Sequence, residues 1–279
     1  MTGGGVAVDF RLLGPVEAWR DGVEVPLDGA KQRTVLAALL LADGHMVSDD
    51  RLCELLWGEE PPATFVAQIY TYVSRLRKNL GDTLVIVRQR PGYLLRGGRL
   101  DTREFDRLAA AGTEQLRAGR HEAAAGLLRS ALALWRGPAL AGVTDRLSEA
   151  QARRLEENRL VALAGRVEAD LALGRQVDLV PELTALVAAH PLHEGFRVQL
   201  MSALARCDRQ ADALAVYRAG RRELADQLGI DPGPALESAF RAILAGPVPG
   251  PRVSAEGRAT GPASSAGPVA DGVVPGVPP

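Results

Sequence analysis

Between Thr64 and Leu80 the chain sets polar and basic side chains at helical spacing. Phe65, Ile69, Val73 (or Tyr72), Leu76 and Leu80 recur at steps of three and four, which predicts one buried stripe. The opposite face then carries Gln68, Thr71, Ser74, Arg75 and Lys78, with Tyr70, Tyr72 and Arg77 at its margins. Together these groups have one chemistry in common. A guanidinium spans guanine O6 and N7 with two hydrogen bonds, while hydroxyls and ammonium groups reach phosphates. A solvated amphipathic helix is the plain alternative, and for Arg75-Leu76-Arg77-Lys78 alone it is the better one. Arg88, Gln89, Arg90 and Tyr93 reverse that balance. They fall on a predicted hairpin whose arginines can lie along a minor groove or a sugar-phosphate backbone. Net charge is −1, but it is unevenly spread. Residues 40–67 hold six acidic groups against Arg51 alone, and residues 68–99 hold seven basic groups against Asp82 alone. So local a switch of sign can build a basic face on a nearly neutral chain.

The elements that must position these residues read as follows. Val8, Phe10 and Leu12 alternate with polar residues, Val16–Trp19 extends, and Asp21-Gly22 is a hairpin turn before Val23 and Val25. Asp28 is the expected N-cap of a helix reaching Ala42, with Val35, Leu36, Leu39 and Leu40 inward. Ser48-Asp49-Asp50 caps a second helix that buries Leu52, Leu55, Leu56 and Trp57, and the third spans about 63–80 and stops at Gly81. Leu84–Val87 and Tyr93–Arg96 flank the Arg90-Pro91-Gly92 turn. Strands, three helices and a hairpin, in that order, make a winged helix-turn-helix. From Asp101 the pattern turns helical, with apolar stripes at Leu160, Leu163, Val167, Leu171 and at Leu214, Tyr217, Leu224, Leu228. Turns recur at Ala118-Gly119-Arg120, Leu173-Gly174-Arg175 and Cys207-Asp208-Arg209, the last two 34 residues apart, the tetratricopeptide period.

The expected fold is therefore mainly α. An α+β winged helix-turn-helix over 1–98 precedes an all-α tetratricopeptide-like domain over 101–245. The tail, 246–279, has eight prolines and seven glycines and is expected to be disordered.

No constellation supports an enzyme. GxxxxGK[ST], GxSxG and HExxH do not occur. Cys53 and Cys207 lack metal-ligand spacing and read as small core residues. His190 and His193 are three apart, but a third ligand is not evident. Asp231-Pro232-Gly233-Pro234 reads as a turn entering the last helix, and Pro191 as a first-turn proline. No cofactor or metal is expected. No apolar run approaches the roughly 18 residues of a membrane span and no leader pattern opens the chain, so a cytoplasmic location is expected.

Residues 8–98 resemble the winged-helix DNA-binding domain of bacterial response regulators, the OmpR/PhoB type. Tyr72-Val73-Ser74-Arg75-Leu76-Arg77-Lys78 with Arg90-Pro91-Gly92-Tyr93-Leu94 is similar to the version in Streptomyces antibiotic regulatory proteins, and Lys31-Gln32-Arg33 and Leu56-Trp57-Gly58 fit it too. Ala133-Leu134-Trp135-Arg136-Gly137, His190-Pro191-Leu192-His193-Glu194, Gln210-Ala211-Asp212-Ala213-Leu214 and Leu228-Gly229-Ile230-Asp231-Pro232-Gly233 resemble that family's bacterial transcriptional activation domain. The resemblance implies a transcriptional activator. It implies double-stranded promoter DNA bound at direct repeats by protomers that self-associate there, RNA polymerase holoenzyme recruited through its sigma factor, and target genes of secondary-metabolite biosynthesis. By position it implies that Arg75 contacts a base, with Tyr70 and Tyr72 nearby, and that Gln68, Ser74, Arg77 and Tyr93 hold phosphates. The chain departs from the family at Gln89, where arginine is common, and at Asp208, where glycine is usual, which predicts a differently shaped turn. A helical-repeat adaptor that binds only proteins is the alternative.

Overall fold

The structure is a computed structural model that describes residues 8–81 and 85–246. Leu84 and the tail from Pro247 lie outside the described residues.

Strands β1 (Val8–Arg11), β2 (Glu17–Arg20) and β3 (Val23–Val25) form an antiparallel meander. Val8 and Phe10 are buried while Asp9 and Arg11 are half-exposed, as a period of two requires. Asp21 and Gly22 both take positive φ, 52° and 80°, the conformation of a two-residue hairpin turn that matches strand twist. A further strand that no sequence pattern announced, β7 (Arg99–Leu100), joins β1 in parallel and gives the order β3-β2-β1-β7.

Helix α1 (Gly29–Leu41) buries Val35, Leu36, Leu39 and Leu40 as expected. Its N-cap is Asp28, but the Asp28 side chain makes no capping bond. The bond runs the other way: the buried Gln32 amide oxygen accepts the Asp28 N–H at 2.5 Å. A short strand β4 (Val47–Ser48) precedes α2 (Asp49–Trp57), where Ser48 Oγ accepts from Arg51 N at 3.1 Å, an ordinary N-cap. Helix α3 (Phe65–Leu80) ends at Gly81, φ 74°. Strands β5 (Val85–Gln89) and β6 (Gly92–Arg96) pair antiparallel around Arg90-Pro91, and β4 adds to β6. A Cβ at Gly92 would overlap the Val47 carbonyl oxygen, so the close approach of β4 requires glycine there.

Seven helices follow among the described residues: α4 (Asp101–Arg117), α5 (His121–Leu132), α6 (Asp145–Ala172), α7 (Gln176–Ala189), α8 (Glu194–Arg206), α9 (Gln210–Leu228) and α10 (Pro234–Leu244). Turns α4–α5, α6–α7 and α8–α9 share one shape. Gly119, Gly174 and Asp208 have φ 70°, 78° and 59°. In each, the following arginine N–H reaches back five residues, to Gln115 O (2.9 Å), Asp170 O (3.0 Å) and Leu204 O (2.9 Å). That is the glycine-type helix stop, and Asp208 adopts it in place of glycine, so the expected difference in turn shape does not occur. The stripe on α9 also needs correcting. Leu228 is exposed, because it lies in the last turn before Gly229, left-handed at φ 68°, redirects the chain.

The packing does not divide at residues 98–101. One core runs from Phe10, Leu36, Leu39, Ile69 and Leu76 into Phe105, Leu128, Trp135, Leu147 and Leu155 of the helical region. Phe105 meets Trp135 edge-on at 5.7 Å between ring centroids. A second core, with Val167, Leu183, Phe196, Met201, Tyr217 and Leu236, belongs to α6 through α10. Helix α6 takes part in both; its 28 residues make it about 42 Å long. The change at Asp101 is one of secondary structure, from strand to helix, within a continuous core.

Candidate nucleic-acid interface

On α3, Ile69, Val73, Leu76 and Leu80 are buried. Val66, Ala67, Tyr70, Thr71, Ser74, Arg75 and Lys78 form one exposed stripe along the other side. Gln68 is half-exposed and its amide nitrogen donates to Thr64 Oγ1 at 3.2 Å. Thr71 Oγ1 donates to the Ala67 carbonyl at 2.9 Å, leaving its lone pairs and methyl outward. Arg75 and Lys78 are exposed and form no salt bridge with another described residue, so both cations are available to an anion.

Four of the expected site residues make contacts within the protein. Arg77 donates from Nε (3.0 Å) and Nη2 (2.6 Å) to the Ile86 carbonyl, clasping α3 to the wing strand. The main-chain direction of β5 aims that carbonyl at α3, which is why a side chain at the margin of the stripe turns inward. Tyr72 is half-buried and packs on the first core. Tyr93 is only 3% exposed. Its ring lies under the Arg88 guanidinium, 4.5 Å away. Arg88 is itself gripped by both Asp49 carboxylate oxygens, at 2.5 and 2.6 Å, and this ion pair pushes the guanidinium pKa further up. Asp49 also donates its N–H to the Pro91 carbonyl at 2.8 Å. The first turn of α2 thus fixes the base of the wing. Gln89 and Arg90 remain exposed at the wing tip.

The basic face is therefore smaller than the count of basic residues implied. Arg99 pairs with Asp9 at 2.5 and 2.9 Å, Arg88 with Asp49, and Arg77 donates to the Ile86 carbonyl, which leaves Arg75, Lys78, Arg90 and Arg96 exposed without such a partner among the described residues. Val66 and Ala67 also stand on this face, though they were not among the expected site residues. Their signal was present, since they lie four residues before Tyr70 and Thr71 on the same stripe. The Asp49–Arg88 pair spans 39 residues of sequence, and no local pattern announces it.

The helical region anchors this frame from behind. Asp101, at the start of α4, accepts the N–H groups of Leu12 (2.8 and 2.9 Å) and Leu13 (3.0 Å). Burial pushes its carboxyl pKa up, against those bonds and Arg136. Main-chain bonds join Arg136 N to Leu13 O at 2.8 Å and Leu140 N to Leu12 O at 2.9 Å. Thr144, the N-cap of α6, donates its hydroxyl to Leu55 O near the end of α2 at 2.7 Å and its N–H to Thr34 Oγ1 on α1 at 2.9 Å.

Farther away, the HxxH pair has a structural job. His193 Nδ1 accepts from Phe196 N at 3.2 Å as the N-cap of α8, and its ring stacks on Phe196 at 4.0 Å. Pro191 lies ahead of that cap rather than in the first turn, and its carbonyl accepts from Arg197 at 2.7 and 3.1 Å. Cys53 is buried and Cys207 half-buried, both free thiols; burial raises the Cys53 pKa. No helix among the described residues is long and apolar enough to cross a membrane.

Comparison with known proteins places the chain. Residues 100–244 match the family described as bacterial transcriptional activator domain, and residues 24–95 match the C-terminal domain of transcriptional regulatory proteins. Regulatory protein AfsR of Streptomyces coelicolor is 48% identical over 85% of this chain and 24% of its own length. The chain thus spans about a quarter of the AfsR sequence. Regulatory protein DnrI of Streptomyces peucetius is 36% identical over 85% of this chain and 92% of its own length. A solved structure of Mycobacterium tuberculosis EmbR in complex with a low-affinity phosphopeptide superposes with TM-score 0.83 at 40% identity, covering 86% of this chain and 65% of that one.

Proposed function

The chain belongs to the Streptomyces antibiotic regulatory protein family of transcriptional regulators, and from that premise we propose how it acts. Helix α3 enters the major groove of promoter DNA, the β5–β6 wing follows the adjoining backbone, and the helical region engages RNA polymerase holoenzyme through the sigma factor. The observation that carries this is the exposed α3 stripe, with Arg75 and Lys78 unopposed beside a wing braced by Asp49. Arg75 contacts a guanine edge, with Tyr70 next to it. Gln68, Thr71, Ser74 and Lys78 meet phosphates, and Gln89 and Arg90 meet the backbone or minor groove at the wing tip. Arg77, Tyr72, Arg88 and Tyr93 serve by holding α3 and the wing at a fixed spacing. Protomers bind side by side on direct repeats, and the genes controlled are those of secondary-metabolite biosynthesis, in keeping with the family resemblance.

DNase footprinting on the promoters of neighbouring genes tests this. The expected result is a protected direct repeat, and Arg75→Ala lowers affinity for it by about 1–3 kcal/mol while relaxing preference at one base. Absence of protection at low salt by a folded sample would favour the adaptor reading, in which the helical region binds only proteins.

A further inference from the structure

We infer that the N-terminal half of α3 recognises thymine by its C5 methyl group, through Val66 with Tyr70 beside it. This rests on the reading above, that α3 is the helix in the major groove. The exposed stripe is graded along its length. Its C-terminal half carries Ser74, Arg75 and Lys78, and its N-terminal half carries Val66, Ala67 and Tyr70. Val66 is 49% exposed and Tyr70 60%, although the helix buries its other large aliphatic side chains, Ile69, Val73, Leu76 and Leu80, completely. A valine turned to water on that stripe contributes nothing to either core.

The position of these groups decides what they meet. Helix-turn-helix proteins present the N-terminal residues of the reading helix to base edges. Of the groups the four base pairs display in the major groove, the thymine methyl is the apolar one. Val66, Ala67 and Tyr70 form one wall of a surface groove of about 540 Å3, with Arg88 and Tyr93 of the wing as the other. Asp49 and the stack on Tyr93 hold Arg88 in place, so that wall is preorganised. An occupant with an apolar spot beside a guanine edge and phosphates fits an apolar patch that is followed along the same stripe by Thr71, Ser74, Arg75 and Lys78. Duplex DNA with a thymine opposite Val66 has that chemistry.

The test is uracil scanning, because deoxyuridine differs from thymidine by the C5 methyl alone. A bound duplex is first selected from a random pool with the full chain, and each thymidine is then replaced in turn. At one or two adjacent positions the wild-type protein should bind about three- to tenfold more weakly, the scale of one buried methyl group. Val66→Ala or Tyr70→Ala should abolish that difference, while Lys78→Ala should weaken every duplex and leave the difference intact. Tight binding to the selected duplex with no uracil penalty anywhere overturns the inference and leaves the DNA reading standing. So does a penalty that survives in both Val66→Ala and Tyr70→Ala. Failure of the folded protein to enrich any duplex overturns both.

Discussion

Arg77 and Lys78 are adjacent, carry the same charge and have different work. Arg77 is half-buried with two donors on the Ile86 carbonyl, whereas Lys78 stands in solvent on the α3 stripe. Lys78→Ala should therefore weaken specific and nonspecific DNA about equally and lower the slope of log affinity against log salt by about one, leaving stability alone. Arg77→Ala should leave that slope nearly unchanged but cost about 1.5–3 kcal/mol of folding free energy, because it removes a charged hydrogen bond and strands a carbonyl. Urea titration beside binding at three salt concentrations separates the two, and equal slopes for both variants would show that Arg77 reaches phosphate after all. The sequence could tell which α3 residues face outward, since 3.6-residue periodicity depends on local order alone. It could not tell that Arg77, Arg88 and Tyr93 are spent internally. That depends on Ile86 and Asp49, whose placement comes from pairing between elements.

Helices in the repeat region are joined by a turn that was legible and a polar network that was not. At Gly119 and Gly174 the turn follows from a residue able to take positive φ after an amphipathic helix; Asp208, expected to shape its turn differently, takes the same conformation. The network centres on Asp170, whose side chain is 5% exposed. Its carboxylate receives Arg129 from α5, Arg166 from its own helix at 3.3 Å, and Arg175 from the turn into α7 at 2.7 Å. Arg166 also pairs with Glu182 on α7, and Arg175 with Glu122 on α5 at 2.7 Å. In sequence these are ordinary charges on amphipathic helices, for which solvent is the default position. Only assembly of α5, α6 and α7 shows that an aspartate is buried among three arginines. Asp170→Asn keeps the volume and removes the charge, leaving Arg166 buried beside one remaining carboxylate. It should cost about 3–5 kcal/mol, the scale for breaking a buried ion pair by deleting one partner. A loss under 1 kcal/mol by chemical denaturation would show that the arginines find water instead.

Across the whole molecule, the physical unit is not the one that motif boundaries draw. Sequence patterns change at Asp101, because strands give way to helices there, and they cannot register that Leu12 and Leu13 donate to the Asp101 carboxylate. Nor can they register that Thr144 ties the middle of α1, at Thr34, to the end of α2, at Leu55, or that Trp135 and Leu147 complete the core begun by Phe10 and Leu36. A fragment cut at residue 98 would lose β7 and leave two buried N–H groups and the Leu55 carbonyl without their partners. It would also expose the apolar face that α4, α5 and α6 cover. Residues 1–98 alone should therefore show no cooperative thermal transition, and residues 1–246 should melt in one as far as the shared core is concerned. A sharp melt of the short fragment, with DNA affinity equal to that of the longer one, would mean that the helical region merely docks on a self-sufficient reading head. A broad, non-cooperative signal would mean that α6 helps to set the pose of α2 and α3. Whatever displaces α6 at Thr144 would then change how the protein holds its DNA.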